Sequence, residues 1–500
     1  MSRQAARLLV AVLASLWLAA CAHAPVAIGP DPVGEDIAAR MMADIEVLAS
    51  DEFGGRKPGT PGGKATYEYL ERRMGEVGLV SGTNDPGSYW RMPVDLVATE
   101  PQTGRLTLGE GRAAVTLAEN EAAVFTPRRR ALAAGGPGTG VPVVFVGYGD
   151  GSVLGDALAG AVALMLADPG RDTARRDALF VQRATAVVTV LPDAGALAAV
   201  RAAEERGKLE LASEERDTLS AYITDAALAR VIGEKRWAMW KREAKKGDFA
   251  PLELNLALSI EATADRREFP SQNIIGMIPG TQPGSGAVLL LGHWDHLGEC
   301  GPASAADRIC NGAADNASGI AMMLELARRL KAGPPLGRDI YVLATSAEEA
   351  GLLGARAFVK SPPLPLSSIV AALNFDMMAV APAGSPLGFI GRGRTPALDT
   401  VILGELARSG RMIGDQNLAD SFLQRQDGWA LLQAGVPTVL LSGTYGSRAV
   451  LDPFLTTHYH RPGDKAEVLE MGGAVEDLLL HEDLIRVLAD PARYPAPAAP

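Results

Sequence analysis

From Asn273 to the C-terminus, short apolar runs alternate with amphipathic stretches, and this alternation limits the possible fold more than any other feature of the chain. The apolar runs lie near 287–291, 339–345, 369–375 and 436–442, and helical patterns fall near 317–331, 351–359, 397–409 and 474–489. A run that is apolar at every position is a strand covered on both faces. Strands separated by helices build a mostly parallel sheet with helices on each side. The sequence is read accordingly as α/β, a mostly parallel mixed sheet flanked by helices. Open sheets of this kind collect their ligands at the carboxyl ends of the strands.

Those ends are where the chemistry sits. The run Ala287–Leu291 leads into Gly-His-Trp-Asp-His-Leu-Gly (292–298), which holds two of the chain's six histidines around a carboxylate. Alone, this segment is either a metal site or a solvated loop. Four more segments bear on the choice. Asp315 stands just before a helix in Asn311-Gly-Ala-Ala-Asp-Asn-Ala-Ser-Gly319. Glu348 and Glu349 close a strand in Thr345-Ser-Ala-Glu-Glu-Ala-Gly351. Asp376 follows the next strand, and His458 and His460 lie in Thr457-His-Tyr-His-Arg-Pro-Gly-Asp464. One sheet edge can gather all of these. Imidazoles and carboxylates without thiolates suit zinc at a hydrolytic centre. Five ligands fit two ions that share one carboxylate, and one further Glu is then available to take a proton.

Upstream, Ile37, Met41, Ile45 and Leu48 recur at helical spacing, a turn-dense loop spans 50–62, and a second helix carries Leu70, Met74 and Val77. Between about 104 and 262 the texture changes to short β-like runs without histidine, read as an inserted β-rich domain. The expected segments are 1–21 signal peptide, 22–35 tether, 36–103 and 263–490 main domain, 104–262 insert and 491–500 disordered tail.

A net charge of -11 with no basic stripe argues against a nucleic-acid partner. Arg3 and Arg7 precede an apolar stretch from Leu8 to Ala20, which is too short for a spanning helix and reads as an export signal. It ends Leu18-Ala-Ala-Cys21, similar to a bacterial lipobox. The resemblance implies a lipid on Cys21 and, with Ala22 following, the outer membrane facing the periplasm. Cys300 and Cys310 are then left as a pair, and an exported chain favours a disulfide between them over free thiols or metal-bound thiolates.

Taken in order, Leu48-Ala-Ser-Asp-Glu-Phe-Gly-Gly-Arg-Lys-Pro-Gly-Thr-Pro-Gly-Gly63, the segments above and Asn374-Phe-Asp-Met-Met378 resemble peptidase family M28, the co-catalytic zinc peptidases. The insert, through Val141-Pro-Val-Val-Phe-Val-Gly-Tyr-Gly-Asp150, is similar to the protease-associated domain found in that family. The resemblance implies two Zn²⁺ ions and peptide substrates. His293 and Asp376 would bind one ion, Glu349 and His460 the other, and Asp315 would bridge them. Glu348 would be the general base for a metal-bridged hydroxide. Tyr459 would steady the tetrahedral intermediate, and Asp295 would orient His293. A cis peptide is implied at Asp315–Asn316. His296 and His458 would pack or hydrogen-bond beside the site, and His481 would lie on the surface. One departure stands out: Gln426-Asp-Gly428 replaces a Ser-Asp-His that the family often carries near substrate. The activity implied is that of an aminopeptidase. The alternatives are a carboxypeptidase of the same family and a non-catalytic receptor or scaffold on the same fold.

Overall fold

The computed structural model describes residues 32–83, 89–109, 111–150, 158–246 and 248–495. The signal peptide, Cys21 and most of the tether lie outside the described residues.

The main sheet is built from seven principal strands: β1 (Arg91–Leu108), β2 (Leu258–Ile278), β3 (Ala287–His293), β4 (Asp339–Thr345), β5 (Ile369–Asn374), β6 (Gly388–Ile390) and β7 (Thr438–Ser442). Their order across the sheet is β6-β7-β5-β3-β4-β2-β1. Strands β3, β4, β5 and β7 run parallel; β2 joins β4 antiparallel and β6 joins β7 antiparallel. The chain leaves β3 to one side for β4, then crosses back to β5 on the other. The carboxyl end of β3 is therefore the switch point where such sheets form a crevice.

The unbroken apolar runs have a direct cause. Alternate residues of one strand enter different cores. Val288 and Leu290 join a core with Ile320, Leu324, Leu484 and Leu488, while Leu289 and Leu291 join one with Ala355, Phe358 and Leu431. Helices α1 (Pro32–Leu48), α2 (Pro61–Val77), α3 (Gly319–Ala332) and α6 (Met471–Leu488) contribute to the first core, and α4 (Leu353–Lys360) to the second. The last of the series between them, α5 (Pro396–Ser409), adds Leu398, Ile402 and Leu406 to the first.

Helix α1 begins at Pro32, inside the stretch read as tether. Proline fits a first helical turn because its missing N–H has no partner there anyway. Ile37, Met41, Ile45 and Leu48 form its buried face. At the other end, residues 491–495 form a turn that buries Tyr494, with Arg338 over its ring, so this part of the expected tail is packed. His481 is also corrected: it is fully buried, its ring 4.8 Å from Phe375. Helix α6 is apolar around most of its circumference, so a polar residue on it need not face water.

Strands β1 and β2 pair along almost their whole length and form a ribbon. One end lies in the main sheet. The other, through Leu106, Leu108, Leu258 and Ile260, enters a second core. That core belongs to a six-stranded sheet, whose central strands Val143–Gly147, Val162–Leu166, Ala186–Leu191 and Ser220–Thr224 are parallel. Helices at 172–181, 194–204, 225–232 and 234–243 accompany it. Their short, Ala- and charge-rich sequences gave a weak periodic signal beside the β-branched strands.

Candidate metal centre

His293 is the last residue of β3, Glu348 and Glu349 follow β4, and Asp376 follows β5. The parallel register sets His293 opposite Thr345 and Leu291 opposite Asn374, so the three strand ends finish level. Asp315 arrives from the segment before α3. Its peptide to Asn316 is cis, as the family resemblance implies. Asn316 is wholly buried and ties the ends together: its Nδ2 donates to the Phe375 carbonyl at 2.8 Å, and its Oδ1 accepts from the Gly319 amide at 3.0 Å.

The two carboxylate oxygens of Asp315 face different partners. Oδ1 is 3.3 Å from His293 Nε2, which is in turn 3.5 Å from Asp376 Oδ1. Oδ2 is 3.3 Å from His460 Nε2, which is 2.9 Å from Glu349 Oε2. Glu348 Oε2 lies 4.0 Å from His293 Nε2. The Tyr459 ring stacks on His460 at 3.7 Å. His458 donates through Nδ1 to the Gly463 carbonyl, 2.8 Å away, and stands outside the group.

Asp295 lies close to His293, but the nearer contact is made by its main chain. His293 Nδ1 is 3.1 Å from the Asp295 carbonyl oxygen and 3.9 Å from the carboxylate. The carboxylate instead accepts the Glu348 amide N–H at 3.0 Å. It therefore fixes the main chain of the expected general base.

The electrostatics of the site favour a cation. Asp295, Asp315, Glu348, Glu349, Asp376, Asp427 and Asp464 all gather here with little or no exposure. Burial pushes Glu348 well up, with Asp376, Asp427 and Glu349 adding to the shift against His293. Burial likewise raises Asp295 to about 7 and Asp427 to about 6. On His293 burial opposes the charge, yet Glu348, Asp315 and Asp376 together raise it well above the usual imidazole range. So many buried acids need compensating positive charge. Several of their atoms also lack any hydrogen-bond partner, among them Glu349 Oε1, Asp376 Oδ1 and His460 Nε2. Orphaned oxygen and imidazole donors that converge without thiolates fit zinc.

Three supporting residues carried no role in the sequence reading. Arg56 is 1% exposed. Its guanidinium donates to the carbonyls of Trp294 (2.8 Å), Leu48 (2.9 Å), Asn311 (2.5 Å), Gly312 (2.8 Å) and Asp315 (3.4 Å). Burial lowers it to about 10, against the pull of Asp464 and Asp315. The signal was the Gly-Gly-Arg triplet: Gly54 and Gly55 take positive φ, and a Cβ on Gly55 would stand 2.5 Å from the Cys310 carbonyl oxygen. Asp464 accepts the amides of Ala314 and Asp315. Asp427 accepts the Thr345 hydroxyl. At the neighbouring departure, Gln426 Oε1 caps the Gly428 amide at 2.8 Å, and a Cβ on Gly428 would meet that oxygen at 2.6 Å. No side chain fits at 428 while Gln426 holds this position.

A cleft of about 1180 Å³ opens beside the centre, with Asp295, His296 and Glu349 on one side and Phe125, Arg176 and Phe180 of the second sheet's region on the other. Cys300 and Cys310 flank the small hairpin below it, their Cα atoms 5.7 Å apart.

The chain is similar to several known proteins. The chain is 36% identical over 124 residues to "Probable lipoprotein aminopeptidase LpqL" of Mycobacterium tuberculosis, a match covering 24% of this chain and 22% of that protein. The matched segment is thus under a quarter of that relative's length. Among solved structures, the aminopeptidase from Aneurinibacillus sp. strain AM-1 superposes with a TM-score of 0.55 at 18% identity, over 93% of this chain and 96% of that one. A zinc aminopeptidase from Bacillus subtilis gives a TM-score of 0.43 at 19% identity, over 90% and 94% of the two chains. Residues 273–477, which carry every expected metal ligand, match the model of peptidase family M28. That segment, about two fifths of the chain, is similar to peptidase family M28.

Proposed function

We propose that the protein is an exported di-zinc aminopeptidase. The observation that carries this reading is the split of Asp315, one oxygen toward His293 and Asp376 and the other toward His460 and Glu349. Two adjoining three-donor groups sharing one carboxylate suit two ions. Bound zinc would supply a Lewis acid and lower the pKa of water at the site.

The chain's own residues do the rest. Glu348 accepts a proton at its carboxylate and returns it to the leaving amine. Its buried, acid-rich surroundings favour the protonated form and so suit the acceptance of the proton. Asp295 keeps Glu348 in place through the main chain. Tyr459, stacked on His460, presents its hydroxyl to the developing oxyanion. Export, a lipid on Cys21, an outer-membrane position facing the periplasm and a Cys300–Cys310 disulfide belong to the same reading. The printed name of the Mycobacterium tuberculosis relative supports the lipoprotein part. Residues 104–262 are read as a protease-associated-like insert that narrows the cleft. Replacing them with a short turn should raise cleavage of long peptides relative to short ones; an unchanged ratio would remove that role.

One observation favours a carboxypeptidase as the second reading. Arg425 Nη2 lies 3.4 Å from the Tyr459 hydroxyl, where a cation could hold a terminal carboxylate. Mass spectrometry of matched peptides with free or blocked ends separates the two. Stepwise loss from free N-termini, abolished by N-terminal blocking and by Glu348→Gln, is the result expected. Loss from the C-terminus would replace the aminopeptidase with the carboxypeptidase, and no cleavage with both ions bound would leave the scaffold reading.

A further inference from the structure

His296 has no role in the reading above, yet it is among the least accessible side chains of the centre. It is 1% exposed, and neither ring nitrogen has a hydrogen-bond partner among the described residues. A buried imidazole with both nitrogens unpaired is costly unless something not yet counted binds it. Its Nδ1 is 2.5 Å from Glu349 Oε1 and 4.0 Å from Asp315 Oδ2. The contact with Glu349 is short, but both atoms remain without a hydrogen-bond partner. They lie close together without the alignment of donor and acceptor. Two lone pairs facing one shared cation would give that arrangement.

The ring has little freedom to turn away. Gly312 has φ +62, and a Cβ there would stand 2.7 Å from His296 Cγ and Cδ2. On the other side the His460 ring meets it edge-on at 5.7 Å. Among the described residues, His296, Asp315 and Glu349 can each bring a donor atom within 4.8 Å of the others, as can His293, Asp315 and Asp376. In a tetrahedral zinc site with bonds near 2.0 Å, donor atoms are about 3.3 Å apart. His296 Nδ1 and His460 Nε2 each lie between 2.5 and 4.0 Å from Asp315 Oδ2 and from a Glu349 oxygen, on either side of that value.

We propose that His296 is a further protein ligand, through Nδ1, of the ion that Asp315, Glu349 and His460 hold. This rests on the two-ion reading of the site. The second ion then has four protein donors, two of them imidazoles, while the first has His293, Asp315 and Asp376. The two positions become unequal: the second is the more closed, and the first keeps more coordination room for substrate and water. The second ion should accordingly be the tighter bound and the slower to exchange.

The test is a count of metal-bound imidazoles in the full-length protein. Protein labelled with ¹⁵N-histidine and loaded with ¹¹³Cd should show one-bond nitrogen–cadmium coupling for three histidines: His293, His296 and His460. This measurement needs no variant. Coupling for only two, with His296 uncoupled, would overturn the proposal. Calorimetric titration of His296→Ala and His296→Asn with zinc supplies the second arm. Loss of a ligand should weaken the tighter site by more than the 10- to 100-fold typical of a lost outer hydrogen bond. A smaller loss would make His296 a positioning residue for Glu349 and overturn its role as ligand. A wild-type protein that takes up fewer than two ions would overturn the two-ion reading itself, and this inference with it.

Discussion

The Asp464 carboxylate accepts the Asp315 amide at 3.1 Å and the Ala314 amide at 2.8 Å. Two motifs that are 149 positions apart in sequence are thereby locked at their functional residues. His460 is four residues before Asp464, so one loop supplies an expected ligand and fixes the backbone of another. Asp464→Asn keeps one acceptor oxygen and turns an amide N–H₂ toward a backbone N–H. Zinc affinity should fall about 10- to 100-fold, as for other partners that orient metal ligands. Competition with a chromophoric chelator measures this directly, and an unchanged affinity would deny Asp464 the role.

Glu348→Gln removes the proton acceptor while keeping shape. Turnover should fall by about 10²- to 10⁴-fold, the usual contribution of general acid–base catalysis. Zinc content by elemental analysis should stay at the wild-type level, because Glu348 is not among the expected ligands. A loss of metal alongside activity would assign Glu348 to the ligand set instead.

Arg56→Met should be among the most damaging single changes outside the ligands. It leaves the carbonyls of Leu48, Trp294, Asn311 and Gly312 without their donor, inside the protein. Breaking a buried charged network of this kind costs about 3–5 kcal/mol. Arg56→Lys keeps the charge but not the planar fork and should recover less than half of that. Urea unfolding of the wild type and the two variants provides the comparison. Near-wild-type stability for Arg56→Met would show that water replaces the guanidinium.

His481 gives the fold a pH dependence of its own. Burial lowers its pKa to about 4, while the ring hydrogen-bonds through Nδ1 to the Asp477 carbonyl at 2.7 Å. The unfolded chain binds its proton near pH 6.5, the folded chain only near 4. The unfolded state therefore holds more protons between these values. The stabilisation is complete above about pH 6.5 and is lost as pH falls toward 4. Its full size is about 3 kcal/mol. His481→Gln should unfold with a flatter pH dependence across that window, seen as a shrinking gap from wild type in thermal melts. A constant gap would contradict the shifted pKa.

How far the sequence could be read depended on range. The strands and helices after Asn273 were legible because each strand lies between two cores, so its apolar run is unbroken, and because each helix presents one stripe. Of the expected ligands, His293, Glu349 and Asp376 could be picked out because they stand at or just past those strand ends. What escaped was long-range pairing. Nothing near Arg56 in sequence reveals that its five hydrogen-bond acceptors lie at 48, 294, 311, 312 and 315. The burial of His481 escaped for a related reason: its ring packs on Phe375, just beyond β5, and so depends on more than its own helix. His296 was set aside because the resemblance allots one histidine to each ion, and only the packing of Gly312 and Glu349 around its ring brings it into question.

The β1–β2 ribbon has a consequence for how such a chain can vary. Thr103 and Thr263 are cross-strand partners whose hydroxyls are 2.6 Å apart, and Gly104 faces Ala262 immediately beyond them. The entrance and exit of the whole intervening segment are therefore neighbours on one ladder. A tight turn could close the ladder at that point without reordering a strand of the main sheet. For a flexible connection, each doubling of its length would add only about 0.6 kcal/mol of closure entropy. The order of β3, β4, β5 and β7, which aligns His293, Glu348 and Asp376, does not depend on what hangs from the ribbon, whereas the edge beside β1 does, because Lys208–Leu211 of the appendage pairs there with Leu96–Thr99.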